Sequence, residues 1–276
     1  MRAALLQLTS SDDPQKNLRV TSELVRSAAS DGAVFILTPE VTNCVSNSRS
    51  HQQRVLRHEH EDLTLAGLRE DADRLGVWML IGSLALKAEA PEERFVNRSF
   101  LIAPDGSIVA RYDKIHMFDV QITETETYTE SAGYAPGNTA VIAKTPFGVV
   151  GMSICYDVRF AYLYRKLAQA GAEILVVPAA FSPATGPMHW ESLLRARAIE
   201  TGSFVLAPAQ MGQHPSTEGR SRSTHGHSLA ISPWGEVLMD AGQKFGVHLV
   251  DLEPSDVAKA RRKVPSLQHD RDIFGP

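Results

Sequence analysis

Gly151-Met152-Ser153-Ile154-Cys155-Tyr156-Asp157-Val158-Arg159-Phe160 is the stretch from which the rest of the chain is best approached. The small and apolar run over 149–154 predicts a buried strand. It stops at a cysteine, and residues 160–171 predict a helix. Cys155 therefore stands where a strand end turns toward a helix N-terminus. Unpaired backbone N–H groups and the positive end of the helix dipole gather at such a place. It lowers a thiol's pKa and supplies donors to a developing oxyanion. Taken alone, the pattern fits a buried structural cysteine equally well.

The flanks predict strand–helix alternation mixed with hairpins. Strands are expected at 3–8, 33–37 and 77–81, with a helix opened by Asp13-Pro14 and another over 59–75. Strands over 95–102 and 108–112 flank the turn Pro104-Asp105-Gly106, a hairpin signal. A second hairpin joins 141–143 to 149–154. Further strands are expected at 173–177, 204–207, 227–231 and 247–252, with helices at 188–201 and from about 254. Residues 41–58 look polar and irregular. The stretch 116–137 is a long Thr/Glu-rich loop, and loops of that length are usually functional. The expectation is an α/β chain with mixed sheets covered by helices, one domain over 1–276 with 253–276 as a C-terminal helix and tail.

Composition narrows the classes. The chain has 276 residues, 43% of them hydrophobic, enough for a sizeable core. A formal net charge of -4 with interspersed signs argues against nucleic-acid or anionic-membrane binding. Cys44 and Cys155 are far apart and form no CxxC pair, so neither a disulfide framework nor a zinc site is expected. No span reaches transmembrane length, and a cytoplasmic location is the expectation. His225-Gly226-His227 has no third metal ligand in range.

Three predicted strand ends carry chemistry. Glu40 ends Leu37-Thr38-Pro39-Glu40, Lys114 ends a hairpin strand, and Cys155 ends the quoted one. Glu40 and Lys114 alone read more readily as a turn and a surface residue. Together the three supply a carboxylate, an ammonium and a thiol, and catalytic groups of open α/β sheets gather at strand ends. The set suits amide cleavage. Glu40 takes the thiol proton and returns it to the departing nitrogen. Lys114 and the Tyr156 N–H meet the oxyanion, an effect on the order of 3 kcal/mol per donor.

These segments also carry a resemblance. Leu-Thr-Pro-Glu (37–40), Tyr-Asp-Lys-Ile-His-Met-Phe-Asp (112–119) and Gly-Met-Ser-Ile-Cys-Tyr-Asp-Val-Arg-Phe (151–160) look like the three signature segments of the nitrilase superfamily, the carbon–nitrogen hydrolases. Order and spacing match from Ala3 to about Leu252. The resemblance implies an αββα four-layer sandwich, with Glu40 as general base and acid, Lys114 as oxyanion stabiliser and Cys155 as nucleophile. It implies a second glutamate in the loop after the lysine. Glu130 matches best, with Glu124 and Glu126 as rivals. It further implies no metal or organic cofactor, and a homodimer or higher homo-oligomer assembled through helices near the nucleophile.

Residues after the nucleophile resemble the branch of ω-amidases and deaminated-glutathione amidases, as do 186–200 and 226–235. Residues 207–214 lean toward the latter. The implied reaction converts the terminal amide of a small α-keto acid amide into an acid and ammonia. Deaminated glutathione is the first expectation and 2-oxoglutaramate the second. Rivals are a nitrilase, an N-carbamoyl amidase, a papain-like thiol hydrolase and a catalytically silent scaffold. Substrate carboxylates need a cationic clamp. Arg159 is the expected candidate, against a salt bridge to Asp157 or a neighbouring loop. Tyr156, Phe181 and His116 complete the expected binding set. Arg195, Arg197, Trp190 and Trp234 read first as packing or interface residues.

Overall fold

Period-two alternation sets the layers. In β1 (Arg2–Gln7), Ala3 and Leu5 belong to one core and Ala4 and Leu6 to another, and all four are fully buried. A strand buried on both faces must be covered on both. The fold, a computed structural model describing residues 1–122 and 127–275, meets that demand with two sheets between helix layers. Glu124 and Glu126 lie outside the described residues.

The first half runs β1, α1 (Pro14–Ser30), β2 (Phe35–Leu37), α2 (Arg49–Val55), α3 (Leu63–Leu75), β3 (Trp78–Lys87), β4 (Phe95–Ile102) and β5 (Ile108–Asp113). A ribbon of β6 (Asp119–Gln121) and β7 (Thr127–Thr129) follows. The second half runs β8 (Val141–Thr145), β9 (Gly148–Met152), α4 (Ala161–Gln169), β10 (Ile174–Val176), α5 (Gly186–Thr201), β11 (Phe204–Ala207), β12 (Met211–Gln213), β13 (Ser223–His225), β14 (Leu229–Ile231), β15 (Val237–Asp240), β16 (Gly246–Asp251) and α6 (Ser255–Lys263).

One sheet has the order β16-β1-β2-β3-β4-β5 and the other β15-β14-β11-β10-β9-β8. Each has a parallel centre, β1-β2-β3 or β9-β10-β11, flanked by antiparallel strands. Leu5, Phe35, Leu37 and Leu80 of one sheet share a core with Val150, Met152, Val176 and Val205 of the other. Ala4, Ile36, Met79 and Ile81 turn outward onto Val25, Ala28, Leu65 and Leu68 of α1 and α3. Tyr164, Leu167, Leu194 and Ala198 of α4 and α5 close the opposite side. This is the expected αββα order.

Local chemistry explains the boundaries. The Asp13 carboxylate accepts from the N–H groups of Gln15 and Lys16, with Pro14 at the first helical position. The expected helix over 59–75 starts at Leu63, because Asp62 caps it by accepting the Leu65 N–H at 2.8 Å. Residues 41–58 are less irregular than expected, since Ser48 caps α2. The strand expected at 77–81 runs on through Gly82 to Lys87. Gly82 is required there, because a Cβ would lie 1.9 Å from the Thr38 carbonyl oxygen. The helix expected from 160 begins at Ala161, and a separate 3₁₀ turn occupies Cys155–Arg159. Among the described residues, no helix is long and apolar enough to cross a membrane.

Candidate active site

Glu40, Lys114 and Cys155 leave three different strands and meet on the wall of one cavity of about 640 Å³. Each turn is held by its own hydrogen bonds. Beneath Glu40, the Thr38 hydroxyl accepts the Gly82 N–H at 3.0 Å, and the Ser83 hydroxyl accepts the Val41 N–H at 2.8 Å. Lys114 donates its N–H to the Asn97 carbonyl at 3.0 Å, which continues the β4–β5 pairing by one residue. Cys155 donates its N–H to the Pro178 carbonyl at 2.9 Å.

Asp157 anchors the cysteine turn. It is fully buried and accepts four hydrogen bonds, from the Ile154 N–H at 2.8 Å, the Tyr112 hydroxyl at 2.7 Å, and the His116 N–H and Nδ1 at 3.1 and 2.7 Å. Cys155 has φ 48° and Val41, directly after Glu40, has φ 49°. Side chains seldom adopt such values, and each costs about 1–3 kcal/mol. Backbone strain thus sits beside both the thiol and the carboxylate.

The charges of the polar floor are all bonded around Lys114, while the buried Asn97 Oδ1 has no partner among the described residues. Its Nζ donates to Glu40 Oε1 at 3.0 Å and to Glu130 Oε1 and Oε2 at 3.0 and 2.8 Å. Glu40 also accepts from Asn97 Nδ2 at 2.9 Å and from the Ala180 N–H at 2.7 Å. Glu130 accepts the Phe118 N–H at 2.7 Å. Burial pushes the Glu40 carboxyl up, but the charges of Lys114 and Arg222 and hydrogen bonds from Cys155 and Lys114 outweigh it. Its pKa falls below the ordinary value. Burial likewise opposes the Lys114 ammonium, yet Glu130 and Glu40 hold its pKa well above normal. For Cys155 the balance runs against the charge. Burial and the Glu40 carboxylate push its thiol well up, beyond what Lys114 and the Ala180 N–H offset. The expected lowering of this pKa is therefore corrected. The adjoining turn is a short 3₁₀ segment, and the thiol is 8% exposed beside a carboxylate. Cys44, also on the wall, is pushed up to about 12, chiefly by burial.

Of the expected binding residues, Tyr156 and Phe181 line the cavity. His116 and Arg159 do not. The His116 ring stacks on Phe160 at 3.6 Å and is tied to Asp157, behind the wall. Arg159 makes neither the expected clamp nor the alternative pair with Asp157. Its guanidinium lies over Tyr156 and Phe181, at 5.7 and 5.6 Å, and bonds His189 Nδ1 at 3.2 Å. The cations on the wall besides Lys114 are Arg49, Arg220 and Arg222. Asn97 is a further missed residue. Its place in the strand pattern, opposite Lys114, was the one available signal.

The comparisons agree with this geometry. The carbon–nitrogen hydrolase family model matches residues 2–262. The chain is 39% identical to a deaminated glutathione amidase of Yersinia enterocolitica, covering 98% of this chain and 93% of the relative. It is 37% identical to the Homo sapiens protein of the same name, covering 99% and 83%. The Caenorhabditis elegans NitFhit protein superposes with a TM-score of 0.89 at 30% identity, over 98% of this chain and 65% of that longer one. An amidase of Nesterenkonia sp. AN1, solved with acrylamide added at its active site cysteine, superposes with a TM-score of 0.76 at 26% identity, covering 96% of this chain and 98% of that one. The chain belongs to the carbon–nitrogen hydrolase family of the nitrilase superfamily, and it is a hydrolase that acts on linear amides.

Proposed function

We propose that the chain hydrolyses a carboxylate-bearing amide through a thioester on Cys155, with deaminated glutathione favoured over 2-oxoglutaramate. The observation that carries the reading is one ammonium, Lys114, bridging two carboxylates beside a neutral thiol. The Glu40 carboxylate takes the Sγ proton as sulfur attacks the carbonyl carbon. The oxyanion forms between Lys114 Nζ and the Tyr156 N–H, which has no acceptor inside its 3₁₀ turn. Protonated Glu40 passes its proton to the nitrogen, the C–N bond breaks, and the amine leaves, as ammonia from a primary amide. Glu40 then deprotonates water, which attacks the thioester, and the sulfur leaves and recovers a proton. Glu130 positions Lys114, and Tyr156 and Phe181 border the substrate.

The size and charge of the cavity support the substrate preference. About 640 Å³ is ample for a peptide-sized amide. Four positive side chains line it against two carboxylates. The curated relatives above carry the name of that activity. We read the protein as one cytoplasmic domain that forms a homodimer. Tyr162, Met188 and Ile199 on α4 and α5 are exposed and apolar enough to suit such a contact.

The test is intact-protein mass spectrometry after rapid quenching with deaminated glutathione. The expected outcome is an added 2-oxoglutaryl group that maps to Cys155 and vanishes in Cys155→Ala, together with release of the amine. Turnover that survives in Cys155→Ala sinks the mechanism. Turnover of 2-oxoglutaramate with higher kcat/KM than deaminated glutathione reverses the substrate order.

A further inference from the structure

The cavity wall holds arginines that form no salt bridge among the described residues. Among the described residues, Arg49, Arg220 and Arg222 make no ion pair, whereas Lys114 makes two. Arg49 is nevertheless held in place. Its guanidinium lies over the rings of Phe95 and Tyr134, at 5.3 and 5.4 Å, and donates to Gln52 Oε1 at 3.1 Å. It rests on bare backbone at Gly133, where a Cβ would fall 1.5 Å from Nη2. Arg222 is fixed by donating to the Ala180 carbonyl at 2.8 Å. Arg49, Tyr134 and Arg222 all line the same cavity. Fixed, unpaired guanidinium groups in a cavity wall suit bidentate capture of a carboxylate.

The two arginines come from distant segments, and a buried latch joins them. Arg49 opens α2, and Arg222 ends the loop between β12 and β13. Asp12, 2% exposed, accepts the Thr217 N–H at 2.6 Å and its hydroxyl at 2.7 Å. On its other side, the Asp12 backbone carbonyl bonds His51 Nε2 of α2 at 2.8 Å. An Arg54–Glu218 pair closes the same seam at the surface.

We propose that Arg49 and Arg222 form a carboxylate clamp that selects anionic amides, and that Asp12 is the positioning residue that holds their two segments in register. This deepens the amidase reading above and rests on it. It also moves substrate recognition from Arg159, next to the thiol in sequence but off the cavity wall, to two arginines that line the cavity.

The test compares glutaramate, an amide with a free carboxylate, with glutaramide, its neutral counterpart. In the unaltered chain kcat/KM favours glutaramate. In Arg222→Gln and in Arg49→Gln that preference falls about 30-fold, as expected for a lost charge-assisted pair. Arg222→Lys recovers part of it. Asp12→Asn raises KM for glutaramate more than it lowers kcat. If Arg222 only orients the Ala180 peptide, both amides suffer alike, and a parallel loss overturns the clamp. A second arm measures glutarate binding by calorimetry without turnover. Failure of the unaltered chain to hydrolyse either amide would count against the amidase reading, while a Kd for glutarate about 30-fold weaker in Arg222→Gln would still uphold the clamp. An unchanged Kd would overturn it.

Discussion

The floor and the rim of the cavity are built on opposite electrostatic plans. On the floor, Glu40, Lys114 and Glu130 are 5, 3 and 16% exposed at the side chain, and every charge has a partner within 3.0 Å. On the rim, Arg49 and Arg220 are exposed, Arg222 is half-buried, and none is paired among the described residues. Taking a charge out of water costs several kcal/mol unless it is paired. The floor must therefore be satisfied before substrate arrives. The rim stays wet, so it tolerates unpaired cations that wait for a partner. The floor thus suits chemistry common to many amides, and the rim suits discrimination among them.

Lys114→Met is expected to have the largest effect. It leaves the Glu40 and Glu130 carboxylates close together without the ammonium that bridges them. Breaking a buried ion pair from one side costs about 3–5 kcal/mol. Urea unfolding should show that loss, and amide turnover should fall below detection. The double variant Lys114→Met/Glu130→Gln should recover part of the stability and none of the turnover. If Lys114→Met unfolds like the unaltered chain, the floor is not the closed network its geometry describes.

The floor also sets a pH window. The Glu40 pKa is lowered from 4.5, so its contribution is present above that value and is lost as acid protonates it in the folded state. The Lys114 pKa is raised from 10.5, so its contribution is present below that value and is lost only as pH climbs through the higher folded one. Stability from this pair is therefore level between those limits. Because the Cys155 thiol is pushed above 9.0 and gives up its proton only during attack, kcat/KM should also stay level across neutral pH. A rise in kcat/KM centred near 9.0 would mean that a free thiolate forms first.

The same contrast explains what the sequence revealed. Glu40, Lys114 and Cys155 stand at ends of apolar strands, and strand ends leave local marks such as Pro39 and the break after Ile154. Glu130 was visible more faintly, by its place in a long loop. Arg49 and Arg222 lie in polar stretches without period, and Asp12 brings them together across about 200 residues, which no local pattern carries. Arg159 is close to Cys155 in sequence, but the 3₁₀ turn carries it off the cavity wall, with its guanidinium over the Tyr156 and Phe181 rings. The direction of the thiol pKa was hidden for a related reason. Burial and a carboxylate from another strand decide it, and neither belongs to the local segment.

Arg54→Ala should have the smallest effect and bears on the rim alone. The pair it breaks with Glu218 is about half exposed on both sides. Exposed pairs contribute about 1 kcal/mol or less, because water and salt screen them. The urea midpoint should barely move, since α2 keeps its Ser48 cap and the Asp12 contacts remain. What should loosen is the surface edge of the seam, while Asp12 keeps the two segments in register. The KM for an anionic amide should rise a few-fold, and the rise should shrink at high salt, where the unaltered chain has already lost the same screened pair. A drop in unfolding free energy as large as that of Lys114→Met would erase the distinction between a floor that carries stability and a rim that carries choice.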